Sequence, residues 1–230
     1  MKTIGFIGGM SWESTVTYYK IINEIVKEKL GGFHSAKCIL YSVDFHEIEA
    51  FQSKGEWDKA GELLADVALS LEHAGADFIV ICTNTMHKVV DIIQSRIQIP
   101  ILHIAEATAD ELIKKGIKRV ALLGTKYTMQ QDFYKSKLLE AGLEVILPDD
   151  KDMELINHTI FQELCLGVIS SSSKAEFLRI IDALTANHAE GIILGCTEIG
   201  LLVGQEDTSA PLFDTTRIHA TKAALTALGE

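Results

Sequence analysis

Small polar residues and a thiol recur in this chain where apolar runs end. Four such segments stand out: Gly8-Gly9-Met10-Ser11, Cys82-Thr83-Asn84-Thr85, Gly124-Thr125-Lys126-Tyr127-Thr128 and Gly195-Cys196-Thr197-Glu198. Small hydroxyls, a side-chain amide and the N–H groups of a following helix are suited to holding a carboxylate or phosphate. Ser, Thr and Asn are also the preferred helix caps, so any one segment taken alone reads as a cap. Four at matching places favour a site. Cys196 is the strongest single candidate, because it follows Ile-Ile-Leu-Gly where a helix should begin. A thiol at a helix N-terminus is expected to have a lowered pKa and to act as base or nucleophile. An inert buried cysteine is the alternative.

Other chemistries lack their signatures. Gly5-x-x-Gly8-Gly9 does not match the dinucleotide loop G-x-G-x-x-G, and Asp44 is a weak substitute for its acidic partner. No G-x-S-x-G or H-E-x-x-H motif is present. Cys38, Cys82, Cys165 and Cys196 are widely spaced, which argues against disulfides and zinc. The expected site therefore uses no metal and no cofactor.

The elements that must position these residues alternate. Strands are expected at Thr3–Gly8, Cys38–Val43, Phe78–Cys82, Ile101–Ile104, Arg119–Leu123, Glu144–Leu147, Gly191–Leu194 and Leu212-Phe213. Helices are expected at Ser14–Leu30, Trp57–His73, Met86–Ser95, Ala105–Lys115, Thr128–Ala141, Asp152–Leu166, Ser173–Asn187 and Thr216–Leu228. Ile/Val/Leu-rich strands each followed by a helix imply an α/β fold with parallel sheets covered on both faces. The chain also repeats. Lys2–Gly8 resembles Lys118–Gly124, an offset of 116 (124 − 8), and Asp77–Thr85 resembles Glu190–Glu198, an offset of 113 (198 − 85). Two pseudo-symmetric halves are expected, 1–98 plus 209–230 and 99–208, with a ligand cleft at the strands' carboxyl ends. The second offset pairs Cys196 with Thr83 and Gly195 with Cys82.

Lys+Arg total 21 against 32 Asp+Glu, a formal net charge of −11, which argues against nucleic-acid and anionic-membrane partners. No apolar run approaches the roughly 20 residues that span a bilayer. The opening residues read as a first strand rather than a signal peptide, and a cytoplasmic location is expected.

Ile4-Gly-Phe-Ile-Gly-Gly-Met10, Asn84-Thr85-x-His87, Gly124-Thr125-x-x-Thr128, Gly195-Cys-Thr-Glu198 and Pro211-Leu-Phe-Asp-Thr-Thr216 together resemble the aspartate/glutamate racemase family, over essentially the whole chain. The resemblance implies cofactor-independent racemisation of aspartate, glutamate or a related amino acid, in a cleft between two domains of a homodimer. In that family one cysteine from each domain addresses each face of the α-carbon. Here the family's Cys-Asn-Thr aligns with Thr83-Asn84-Thr85, so Thr83 stands in place of the first cysteine and Cys196 is the second. L-substrate is expected to be favoured. The resemblance assigns Asn84, Thr85, Thr125, Thr128 and Thr197 to the substrate's α-carboxylate and amino group. It places Met10 and Ser11 in the floor and gives Glu198 the amino group to orient. Many relatives that take acidic substrates carry an Arg and a Lys in regions that here read Asp44-Phe45-His46 and Glu163-Leu-Cys-Leu-Gly167. Protonated His46 is the candidate substitute, with a solvated loop histidine as the alternative. Two other functions fit these residues: a related isomerase or lyase acting on a small carboxylate or hydantoin, and a non-catalytic amino-acid-binding protein.

Overall fold

A computed structural model describes residues 1–230. In chain order the elements are β1 (Ile4–Gly8), α1 (Trp12–Leu30), β2 (Cys38–Ser42), α2 (Phe45–Ser53), α3 (Trp57–His73), β3 (Phe78–Ile81), α4 (Val90–Ser95), α5 (Ile104–Lys114), β4 (Arg119–Gly124), α6 (Lys126–Gln130), α7 (Asp132–Glu140), β5 (Glu144–Ile146), α8 (Asp150–Gln162), α9 (Ser171–Ala186), β6 (Gly191–Gly195), α10 (Ile199–Leu202), β7 (Leu212–Asp214) and α11 (Thr215–Leu228). They form two units, 1–104 with 216–230, and 105–215. These boundaries differ from the expected ones for a reason visible in the pairing. Ile101 bridges Ile79 of the first sheet, and β7 pairs with β6 of the second, so each sheet retains its fourth position.

In unit 1 the parallel sheet runs β2-β1-β3. Side chains alternate along its strands. Ile7, Ile79 and Ile81 face Leu64, Val67, Ala68 and Leu71 of α3. Ile4, Phe6, Phe78, Val80 and Cys82 face the other way, onto Tyr18 and Ile22 of α1 and the small-residue stripe Ala220, Ala223, Ala224 and Ala227 of α11. In unit 2 the parallel sheet runs β5-β4-β6-β7, and Ala121, Leu123, Ile192 and Leu194 pack on α8 and α9.

The internal repeat extends to the register. Ile4 lies opposite Phe78 and Ile7 opposite Ile81; Val120 lies opposite Gly191 and Leu123 opposite Leu194. Shifting β1 by 116 and β3 by 113 converts one pairing into the other. The fourth positions correspond too: Ile79 pairs with Ile101, and Ile192 with Leu212. Pro100 and Pro211 occupy equivalent places, each carbonyl accepting from Ile79 or Ile192 at 2.9 Å. Even the strand entrances match, with Asp77 accepting the Thr3 N–H at 2.6 Å and Glu190 the Arg119 N–H at 3.1 Å.

Some elements differ from expectation. The segment expected as one helix from Met86 to Ser95 begins as a 3₁₀ turn, Thr85–Val89, before α4. Thr128–Ala141 is two helices separated at Gln131, whose ψ of 158° breaks the turn. Helix α2, not anticipated, starts where Asp44 accepts the His46 N–H at 3.0 Å. Ile101–Ile104 makes a single bridge rather than a strand, because α5 already begins at Ile104.

Candidate active site

In unit 1 the relevant chain ends lie at the carboxyl edge of β1 and β3. Gly9 has φ +90°, and a Cβ there would sit 2.3 Å from the Val43 carbonyl oxygen, so glycine is the residue that fits. The Gly9 N–H donates to Thr15 Oγ1 at 2.8 Å, and that hydroxyl donates to the Ser11 carbonyl at 3.0 Å. The first turn of α1 is thereby tied to the end of β1. Met10 is buried with Ile7, Ile81 and Met86, so its side chain belongs to the core. Ser11 is also buried, its hydroxyl 3.4 Å from that of Ser14. His46 is exposed on the first turn of α2.

At the end of β3 the two adjacent candidates separate. Cys82 continues the strand's alternation and is fully buried in the apolar cluster with Phe78 and Val80. Burial drives its thiol pKa strongly upward. Thr83, one residue on, is half-buried, while Asn84 and Thr85 are buried. His87 Nδ1 lies 2.9 Å from the Thr83 carbonyl oxygen, and the Ile104 N–H donates to His87 Nε2 at 3.2 Å. Beside His87 lie the rings of His103, with centroids 4.7 Å away, and His219, at 5.8 Å. His219 is held by the Tyr18 hydroxyl and the Leu102 carbonyl, each at 2.8 Å. Burial lowers the pKa of His219 to about 3 and holds that of His87 well below the usual range, with His103 adding to the effect on His87. This buried histidine group escaped the sequence reading. The available signal was the four-residue spacing of Thr83 and His87, which lets a side chain reach back to a carbonyl.

In unit 2 the ends of β4 and β6 meet through glycines. A Cβ on Gly124 would lie 2.9 Å from the Gly195 oxygen, and one on Gly195 would lie 2.7 Å from the Leu123 oxygen. The same approach sets Thr128 against both glycines, its Cβ 3.2 Å from a Cβ on Gly124 and its Cγ2 3.5 Å from one on Gly195. Thr125 caps α6, accepting the Thr128 N–H at 3.3 Å, and the two hydroxyls are 3.2 Å apart. Cys196 is buried, and its thiol donates to Glu198 Oε2 at 3.0 Å. The Thr197 hydroxyl donates to the same oxygen at 2.7 Å. Glu198 is itself buried.

The expected lowering of the Cys196 pKa is overturned. Burial raises it, and the negative charge of Glu198 raises it further. The physical reason is the helix. Residues Ile199–Leu202 of α10 form barely one turn, too short a dipole to offset desolvation and a carboxylate within hydrogen-bond distance. The resting group is a thiol, hydrogen-bonded to Glu198.

The sequence profile of the Asp/Glu/Hydantoin racemases matches residues 7–223. The chain belongs to this racemase family. Among its relatives, the broad specificity amino-acid racemase RacX of Bacillus subtilis (strain 168) is 28% identical over 237 residues, covering 98% of each chain. A Yersinia pestis crystal structure, described as a candidate Asp/Glu racemase, is 57% identical with TM-score 0.93, covering 99% of this chain and 100% of that one. The structure of an aspartate racemase homologue from Pyrococcus horikoshii OT3 is 41% identical with TM-score 0.86, at the same coverage. Racemases are isomerases, and this family acts on small molecules. No helix of the chain is long and apolar enough to cross a membrane.

Proposed function

We propose that this chain is a cofactor-independent amino-acid racemase acting on aspartate, glutamate or a related amino acid, with Cys196 and Thr83 addressing opposite faces of the α-carbon. One observation carries the reading. The matched register of β1–β3 and β4–β6 makes Thr83 and Cys196 equivalent positions at strand carboxyl ends, and Cys196 has a proton acceptor built in. For an L-substrate, Glu198 takes the thiol proton, and the substrate's ammonium group offsets the charge gathered there. The thiolate removes the α-proton, the bond pair passes to the α-carbon and its carboxylate, and the Thr83 hydroxyl returns a proton on the other face. Water then restores the Thr83 proton, and the hydroxide this leaves takes the proton held by Glu198, which returns each group to its starting state. Asn84, Thr85, Thr125, Thr128 and Thr197 supply hydrogen bonds to the α-carboxylate and amino group, lowering the barrier to an α-proton that is a very weak acid. Met10 and Ser11 contribute backbone to the floor, and His46 is the candidate contact for a side-chain carboxylate.

The test is incubation with a panel of L- and D-amino acids without added cofactor, followed by chiral chromatography. Formation of the opposite enantiomer supports the reading. Binding without turnover would favour a non-catalytic amino-acid-binding protein.

A further inference from the structure

The Thr83 carbonyl can only accept a hydrogen bond and the Ile104 N–H can only donate one. The ring of His87 lies between them, 2.9 Å and 3.2 Å away. These two partners favour the neutral tautomer with the proton on Nδ1 and the lone pair on Nε2, while the Asn84 and Leu102 carbonyls also act on the ring. The ring is buried, and the rings of His103 and His219 brace it at 4.7 and 5.8 Å. His219 is in turn locked by Tyr18 and Leu102. A rigid side chain thus grips the residue at the end of β3, at a bend outside the strand.

The repeat shows that the fold does not demand this grip. In unit 2 the counterpart of the Thr83 carbonyl is that of Cys196, which accepts from the backbone N–H of Ile199 at 3.1 Å. The counterpart of His87 is Gly200, which has no side chain. That of His103 is Asp214, whose Oδ2 would lie 3.1 Å from a Cβ on Gly200. In unit 2 a backbone N–H meets this carbonyl; in unit 1 an imidazole reaches it, beside two further rings.

We propose that His87 is a positioning residue for Thr83: its Nδ1–H holds the Thr83 carbonyl and so aims the Thr83 hydroxyl at the α-carbon. This rests on the reading of Thr83 as the proton donor of the second face. An alcohol is a poor acid, so its donation depends on alignment more than a thiol's would.

Two substitutions separate the two hydrogen bonds. In His87→Asn the amide nitrogen falls near the Nδ1 position and keeps the bond to Thr83. In His87→Gln the amide oxygen falls near Nε2 and keeps the bond to Ile104. Starting from L-substrate in D₂O, two rates are read: deuterium entry at the α-carbon of recovered L-substrate, and appearance of D-product. We expect His87→Gln to lose at least tenfold in D-product formation while keeping deuterium entry within about threefold of the parent. His87→Asn should keep both. Equal losses in the two variants, or parallel loss of both rates in His87→Gln, would overturn the proposal. Absence of both rates in the parent protein would instead refute the underlying reading of Cys196 and Thr83, and this proposal with it. A second measurement needs no variant: ¹⁵N spectra of the parent should show His87 protonated at Nδ1, and protonation at Nε2 would overturn it.

Discussion

At the scale of single residues, two adjacent positions have opposite fates. Cys82 is fully buried among apolar side chains, and Thr83 emerges at the strand end. Cys196→Ser should lower turnover by several orders of magnitude, as loss of a catalytic base does. Cys82→Ala should leave kcat within a few-fold and cost about 1–2 kcal/mol of stability from the small cavity. Comparable kcat losses in the two variants would contradict the assignment. Glu198 separates thiol acidity from catalysis. Its negative charge raises the Cys196 pKa, so Glu198→Gln should speed alkylation of Cys196 at a given pH, read by mass spectrometry of that peptide. The same variant should turn over more slowly, because the acceptor of the thiol proton is gone. Faster alkylation with unchanged turnover would remove Glu198 from the mechanism. Unequal groups on the two faces should also give unequal rates. L-substrate should be processed faster than D-substrate, and Thr83→Cys should raise the D-direction selectively. Equal initial rates for both enantiomers would argue against the asymmetry.

At the scale of elements, glycines bring the strand ends close enough to act together. Gly124 and Gly195 let β4 and β6 touch where Thr125, Thr128 and Cys196 emerge. Gly124→Ala places a methyl 2.9 Å from a backbone oxygen and 3.2 Å from the Thr128 Cβ, so the strand ends must part. At least a tenfold loss of kcat is expected, with a fold that still melts cooperatively; unchanged kcat would show that this approach is not needed. The same scale shows why some elements were legible in the sequence and others not. Trp57–His73 carries an apolar face at helical spacing and forms α3 with the expected bounds. The break at Gln131 and the 3₁₀ turn at Thr85–Val89 carry no glycine or proline to announce them. Helix periodicity runs through both places, and local geometry ends it.

At the scale of the whole molecule, buried neutral histidines make stability depend on pH. His219, with a pKa near 3, and His87, also far below the usual range, stay neutral when folded and titrate near 6.5 when unfolded. Between those values the unfolded chain binds more protons, so acid favours unfolding. Their stabilisation is complete above about pH 6.5 and is lost as pH falls toward the folded values, at up to about 1.4 kcal/mol per pH unit for each histidine. Urea midpoints measured from pH 7 to 5 should fall steadily. The slope should shrink in His219→Gln; an unchanged slope would assign the acid sensitivity elsewhere.

The α/β class, the two-fold repeat and the pairing of Thr83 with Cys196 followed from the sequence, because apolar runs at fixed offsets record strand order and register directly. The family followed from motifs that sit at those strand ends. Only the tertiary structure decided the state of the Cys196 thiol and the partner of the Thr83 carbonyl. A thiol's acidity depends on the burial and charge around it, and here burial first, then a carboxylate 3.0 Å away, outweigh a single helical turn. The ring of His87, which reaches the Thr83 carbonyl, lies beside those of His103 and His219, and folding alone brings these two to centroid distances of 4.7 and 5.8 Å from it, across sequence separations that no local pattern records.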